Sequence, residues 1–376
     1  MIITKATQGH IDGVKAIADK NKSEVGFIVR GALLDAVKRG ELLVALDGGE
    51  VVGFCHYHTR KDGWTTVREI AVKDGQRRGG IGTELINAVP RPIRLKCAVD
   101  NPANEFYRSL GFVRISKEAG KKRELNVWQQ RERPEIIFCR GGSKDTWAAV
   151  KGSGMLYGTQ AAHTPDPGEV AAGNIFMVDA PFKEFWSLDK NFQPADEPNW
   201  KVWTQMLAKV REWKPSLVMV PDYISPAYKR ALIKMACQLV EAGVEHVMMC
   251  PKFPGAVKDI PDWCVVGVSI PTEFAGYLPD LNELAGRNIH LLGDHTQQQM
   301  ELWRKLVGIG ARVITVDGNK FALKASFGAV YTLGGFVYPK NKLEPVDYYN
   351  TVRVSAVNTM AHWDNAPRVA QLALAI

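Results

Sequence analysis

The chain has 376 residues, a hydrophobic fraction of 46% and a formal charge of +8, a length that predicts two or three domains and a composition ordinary for a globular protein. It has no low-complexity segment, no solenoid-type repeat and no run near the roughly 18–20 apolar residues of a membrane helix. Its start, MIITKATQGHID, lacks a long apolar leader, so a cytoplasmic protein with no membrane partner is expected.

The six cysteines, Cys55, Cys97, Cys139, Cys237, Cys250 and Cys264, form no CxxC pair and are read as reduced core thiols. The basic excess is compatible with a polyanionic partner and equally with a solvated basic surface.

In chain order, MIITKAT is a strand and Ile11–Arg39 is helical by pattern. ELLVALDGGEVVGFCHYHTR is a hairpin turning at Asp47-Gly48-Gly49, as alternating apolar runs around a Gly-rich turn predict. His56 and His58 alternate onto one face, as surface or substrate-pocket residues rather than a metal pair. REIAV is the next strand. Arg77-Arg78-Gly79-Gly80-Ile81-Gly82 then opens a helical pattern carrying Leu85, Ile86 and Val89. A Gly-rich turn opening a helix presents free backbone N–H groups and the positive end of a helix dipole, which suits a pyrophosphate. IRLKCAV is a further strand. A short helix over Asn101–Leu110 ends at Gly111 and places Tyr107, a phenol able to donate a proton, one turn before that end. VRISKEAGKKRELNVWQQ reads as closing strands, and Gln129-Gln130-Arg131-Glu132-Arg133-Pro134 as a boundary. The expected domains are therefore 1–130 and 134–376.

The glycine turn, Asn101 and Tyr107, in this order and spacing, resemble the acyl-CoA-binding signature of the GNAT N-acetyltransferase family. That resemblance implies an N-terminal GNAT α/β domain using acetyl-CoA or another acyl-CoA. It implies that Arg77, Arg78, Gly79, Gly80, Ile81 and Gly82 hold the cofactor pyrophosphate and that Asn101 contacts the cofactor. Tyr107 would protonate the leaving thiolate, and Glu69, on the strand before the turn, would act as general base directly or through water. Read as residues alone, Glu69 is equally an exposed strand carboxylate, and Tyr107 a packing aromatic beside Phe106.

Beyond residue 134 short apolar strands recur: IIFC (136–139), MLYG (155–158), IFMVD (175–179), LVMVPD (217–222), HVMMCP (246–251), VVGVSI (265–270), IHLLG (289–293) and VITVDG (313–318). Most are apolar on both faces, as in a parallel sheet covered by helices. Helical patterns lie between them at Trp200–Lys214, Ala227–Ala242, Leu278–Ala285 and Thr296–Ile309. This rhythm predicts a TIM-like (β/α)8 barrel, with an open doubly wound sheet as the alternative. Asp179, Asp222, Ser269, Gly293 and Asp317 stand at strand C-termini, and Cys250 and Lys252 follow HVMM. In a barrel those ends share one face, which holds the active site. Each Asp is also a plain helix N-cap candidate. There is no G-x-S-x-G elbow, Walker A or H-E-x-x-H motif.

VDAPF at 178–182, VPD at 220–222, GVSIPTE at 267–273 and HLLGDHTQQQMELWRKLVGIGARVITVDGNKF at 290–321 resemble, in order, segments of the tRNA-guanine transglycosylase superfamily. The likeness is closest to its phage-encoded DNA-guanine transglycosylase branch. It implies exchange of guanine for a free 7-deazaguanine-type base, in DNA ahead of tRNA, and a host cytoplasm infected by phage. Asp317 would be the nucleophile that holds the sugar covalently, and Asp179 the acid/base. Asp222, Cys250, Gly267, Ser269 and Gly293 would line the base site. Ala180-Pro181 replaces the family's Ser-Gly-Gly. The tRNA enzymes carry a zinc site of three Cys and one His near the C-terminus; after residue 318 this chain has no cysteine and one histidine, His362, so no metal is expected. The combined expectation is a base-exchanging barrel fused to an N-acyltransferase that acylates an amine on that base or a related substrate. The alternatives are an acetyltransferase whose barrel only binds nucleic acid or substrate, and a non-enzymatic DNA-binding accessory protein.

Overall fold

A computed structural model describes residues 1–121, 123–140, 144–186, 197–270, 277–293, 296–339 and 347–374. They divide into two compact units, Met1–Glu132 and Arg133–Ile376.

The first unit runs β1 (Ile2–Lys5), α1 (Ile11–Lys20), α2 (Lys22–Val25), α3 (Arg30–Arg39), β2 (Leu42–Asp47), β3 (Glu50–Thr59), β4 (Thr65–Val72), α4 (Ile81–Asn87), β5 (Ile93–Ala98), α5 (Ala103–Ser109), β6 (Val113–Ala119) and β7 (Glu124–Gln130). The strands form one sheet in the order β1-β2-β3-β4-β5-β7-β6. One face packs Leu43, Val67 and Trp128 under Ile81, Leu85 and Ile86 of α4 and Tyr107 of α5. The other packs Val44, Phe54 and Ala71 under Ile11 of α1 and Leu33 of α3. The helical stretch expected over Ile11–Arg39 is three helices. It breaks at Asn21, whose amide turns back to the Ile17 carbonyl at 2.9 Å, and at Gly26, whose φ of 81° is left-handed.

Two irregularities shape the middle of this sheet. β4 and β5 pair in parallel only through Thr65↔Ile93 and Thr66↔Arg94, while β5 pairs with β7 from Ile93 to Ala98. Past Thr66 the two strands therefore diverge. Opposite β3, His56 pairs with Glu69 and Tyr57 with Val67, so Arg68 is the extra residue of a β-bulge. The bulge reverses the alternation: Val67 packs with the α4/α5 core, and after it Ile70 and Val72 do, leaving Glu69 on the face of Ala71.

The second unit is a closed barrel of eight parallel strands: β8 (Glu135–Arg140), β9 (Leu156–Gln160), β10 (Ile175–Asp179), β11 (Leu217–Met219), β12 (His246–Met249), β13 (Val265–Ser269), β14 (Asn288–Leu292) and β15 (Arg312–Asp317). β15 returns to β8 through Thr315↔Glu135, Val316↔Ile136 and Asp317↔Ile137, which closes the ring. Its helices are α6 (Lys144–Val150), α7 (Pro167–Ala171), α8 (Phe182–Trp186), α9 (Trp200–Trp213), α10 (Lys229–Glu241) and α11 (Thr296–Gly308); α12 (Lys320–Ala325), β16 (Val330–Thr332), β17 (Gly335–Val337) and α13 (Tyr348–Leu374) follow the barrel. All eight expected strands are present and the open-sheet alternative is excluded. The helix expected over Leu278–Ala285 is a single 3-10 turn, Leu281–Leu284. Asp280 caps it, and Gly286 at φ 73° ends it before β14 begins.

Among the described residues, no helix is long and apolar enough to cross a membrane. Five cysteines are buried as expected, but Cys237 on α10 is exposed. The charge is uneven: residues 1–132 hold 23 Lys and Arg against 16 Asp and Glu, or +7, and residues 133–376 hold 25 against 24, or +1.

Candidate active sites

In the first unit the divergence of β4 and β5 opens a groove of about 840 Å³. Glu69, Arg77, Arg78, Gly80, Ile81, Gly82, Asn101 and Tyr107 all line it; of the residues expected there, only Gly79 does not. The groove is basic: Arg68, Arg77, Arg78, Lys96 and Arg123 line it against Glu24 and Glu69. Gly80, at φ 82°, is the left-handed N-cap of α4. Arg78 is held at φ 67°, a conformation costly for a residue with a Cβ and typical of functional turns. Gly82 lets the turn press on α5, since a Cβ there would meet the Phe106 ring at 3.1 Å. Arg77 is already engaged, by Asn21, by Glu24 at 3.3 Å and by Asp74 at 3.4 Å.

Tyr107 is buried against Phe106, Phe112 and Trp128. Burial, reinforced by the neighbouring Cys97 and Cys55 thiols, raises its phenol well above the ordinary value. It therefore keeps its proton at neutral pH and has one to give. Asn101 accepts the Ala103 N–H at 2.9 Å, which starts α5 two residues later than expected. Glu69 is not the plain exposed carboxylate: its Oε2 lies 2.6 Å from Nδ1 of His56. His56 is buried, whereas His58 is more exposed and pairs with Glu41 at 2.8 Å.

In the barrel, Asp179, Ser269 and Asp317 end β10, β13 and β15, and Asp222, Cys250 and Gly293 follow β11, β12 and β14, so all six gather at the C-terminal end. Burial, then the charges of Asp317 and Asp222, push Asp179 up to about 7. Its Oδ2 is 3.5 Å from the Gln160 amide, and its Oδ1 has no hydrogen-bond partner among the described residues. Asp317 accepts the Gly293 N–H at 3.3 Å and faces Nε2 of the fully buried His290 at 3.4 Å. Gln299 of α11 donates to the main-chain carbonyls of Gly293 and of Asp317, the latter at 2.7 Å. Cys139 of β8 feels both carboxylates: burial, then the charges of Asp317 and Asp179, push its thiol up.

Asp222 is raised by burial, although Lys252, at 3.6 Å, acts to lower it. Lys252 also donates to the Ser269 hydroxyl at 2.8 Å, with Cys250 Sγ 3.7 Å from the same oxygen. Gly267 has a packing reason rather than an open approach: a Cβ would meet Leu292, Met248 and Cys250 at 3.0–3.2 Å. Gly293 is required by its φ of 118°. The PTE part of GVSIPTE and Asp294-His295 lie outside the described residues. Among the described residues no group of three or more His, Cys, Asp or Glu is placed to hold a metal.

Sequence reasoning missed His56 as Glu69's partner, and Gln160, Cys139, His290 and Gln299 around the barrel carboxylates. A histidine two residues from another on an apolar strand was the one visible signal. The barrel residues carry none, because their meaning depends on which strands become neighbours.

Residues 38–114 match the acetyltransferase (GNAT) domain model, and residues 151–364 match the model of a family of unknown function, DUF6610. Similar solved structures include Ard1 from Thermoplasma volcanium, at 22% identity over 34% of this chain and 95% of that chain, TM-score 0.32. A ribosomal-protein-alanine N-acetyltransferase from Brucella melitensis shares 20% identity over 35% and 99%, TM-score 0.31. Rv2747 from Mycobacterium tuberculosis, in complex with CoA, shares 19% over 32% and 77%, TM-score 0.28. No curated protein matches the chain. With its GNAT domain ahead of a matched region spanning more than half its length, the chain belongs to the family of unknown function DUF6610.

Proposed function

We infer that the first unit transfers an acyl group from acyl-CoA to a primary amine. The observation that carries this reading is the single groove between β4 and β5 onto which the glycine turn, Glu69 and Tyr107 open. The amides of Arg77–Gly82 and the guanidinium groups of Arg77 and Arg78 suit the pyrophosphate. The backbone groups that β4 and β5 leave unpaired past Thr66 suit the amides of a pantetheine arm. Asn101 would contact the same cofactor. Glu69 would take a proton from the acceptor's ammonium, directly or through water. The freed amine nitrogen attacks the thioester carbonyl, the C–S bond breaks as the Tyr107 phenol gives its proton to the departing thiolate, and the nitrogen's second proton passes to solvent, from which the phenolate is reprotonated. Calorimetry with acetyl-CoA tests this: the chain should bind and Gly80→Glu should not. Equal affinity in both would remove the glycine turn from the site.

A second reading concerns the barrel, favoured by the three carboxylates at one barrel end and by the raised Asp179. It is exchange of guanine for a 7-deazaguanine-type base in DNA, ahead of tRNA. Asp317 attacks the sugar carbon as the N-glycosidic bond breaks. Asp179 shuttles the proton on the base, and Asp222 accepts from its N–H groups, with Cys250, Gly267, Ser269 and Gly293 around it. In duplex DNA the target base must first leave the stack. The acyltransferase would act on an amine of that base or a related substrate. Incorporation of labelled deazaguanine into DNA by the wild type, absent in Asp317→Ala, is the expected result; incorporation unchanged in the variant removes the assignment. Salt-dependent DNA binding without turnover would favour an accessory role instead.

A further inference from the structure

His56 of β3 stands directly opposite Glu69 of β4 in the sheet register, and its Nδ1 lies 2.6 Å from Glu69 Oε2. An ionised carboxylate has no proton to give, so the imidazole donates, which fixes a proton on Nδ1. Nε2 is buried with no hydrogen-bond partner among the described residues. A side chain serving only to fill this space would gain from being apolar, because an unmatched polar atom is costly to bury. Glu69, by contrast, reaches the groove while its partner does not. The bulge at Arg68 is what turns Glu69 onto the face of His56.

The neighbouring pair supplies the contrast. His58 holds Glu41 at 2.8 Å, but that carboxylate also takes Arg39 at 2.6 Å and does not line the groove. The two histidines, two residues apart, make the same kind of bond, and only one bond ends on the cofactor groove. Cys55 and Tyr57 flank His56 on its own strand, and Arg68 flanks Glu69.

We propose that His56 is a positioning residue for acyl transfer. Its Nδ1–H holds one oxygen of Glu69 so that the other is presented to the acceptor's ammonium in the groove. This rests on the acyltransferase reading, with Glu69 as the proton acceptor.

The test uses the full chain, acetyl-CoA and a panel of primary amines (spermidine, tyramine and an alanine-initiated peptide), with thiol release as readout. His56→Leu should lower kcat on the best amine by about tenfold or more, with KM for acetyl-CoA within about twofold and a melting temperature no lower than wild type. His56→Asn, whose amide N–H takes the place of Nδ1–H, should recover kcat to within about fivefold. His58→Leu should leave kcat unchanged. Wild-type kcat in His56→Leu overturns the proposal, as does a loss matched by an equal loss of acetyl-CoA affinity or by no recovery in His56→Asn. Glu69→Gln separates the levels: full activity there removes Glu69 as proton acceptor, and His56's role with it. A wild type that binds no acetyl-CoA and acylates no amine removes the acyltransferase reading itself.

Discussion

Asn104 Oδ1 accepts the indole N–H of Trp128 at 2.9 Å and the Asn126 amide at 3.0 Å, while its own amide donates to the carbonyls of Ala98 and Asn101 at 2.7 Å. One buried side chain thus joins α5 to β7 and to the loop that leaves β5, and so sets where Tyr107 and Asn101 meet the groove. Asn104→Ala takes an acceptor from two buried donors and a donor from three carbonyls, those of Ala98, Val99 and Asn101. With ~1–3 kcal/mol for each buried group left unmatched and some relaxation, a loss of about 2–4 kcal/mol is expected. Urea denaturation of the full chain, followed by a probe of the first unit, measures it.

Gly82→Val places a branched side chain where even a Cβ would sit 3.1 Å from the Phe106 ring. Phe106 packs beside Tyr107, ring centroids 5.4 Å apart, and both line the groove. Relief of the clash must push α5 away or narrow the groove. Acetyl-CoA affinity should fall by about tenfold, roughly 1.4 kcal/mol, with a comparable cost in stability; calorimetry reports both.

Tyr107→Phe removes only the phenol oxygen from a side chain packed on three aromatic neighbours. Acetyl-CoA affinity should be unchanged. Turnover should drop by about 10²-fold if the phenol protonates the thiolate, and an undiminished kcat would leave Tyr107 as a packing aromatic. Because burial raises the phenol above its ordinary range, the wild-type rate should show no loss from its ionisation up to pH 9.

Asp179 gives the barrel a pH signature. Its carboxyl is pushed up to about 7 in the folded protein, against about 3.9 when unfolded. Between those values the folded state binds the extra proton, so stability falls as pH rises and levels off above 7. Asp179→Asn keeps the shape without the charge. It should gain about 2–4 kcal/mol over wild type at pH 8, with the gain gone at pH 4. Calorimetric melting at the two pH values decides; a gain equal at both would mean that charge is not the cause.

The eight barrel strands were legible because each is a short run apolar on both faces, ended by a polar or glycine residue, and buried parallel strands require that pattern. Leu278–Ala285 shows the limit of periodicity: apolar spacing there suits a helix, yet Asp280 and Gly286 leave room for one 3-10 turn. The glycine turn was legible as residues, since left-handed backbone at Gly80 and close approach at Gly82 both select glycine. Net charge, compatible with a polyanionic partner and equally with a solvated basic surface, does not point to the barrel, because the excess lies almost wholly in residues 1–132.

By itself the sequence determined the mixed α/β class, the order of elements, the glycine turn and the placement of aspartates at strand ends. These are local matters of side-chain period, turn conformation and strand length. Tertiary structure alone decided which chemical groups meet. Strand alternation would have set Glu69 by simple parity, and the bulge at Arg68 reversed it to face His56. Closure of β15 onto β8 brought the Cys139 thiol under the influence of Asp317 and Asp179, and adjacent strand ends brought Lys252 to both Asp222 and Ser269. Register and closure come from long-range pairing, and no local pattern encodes them.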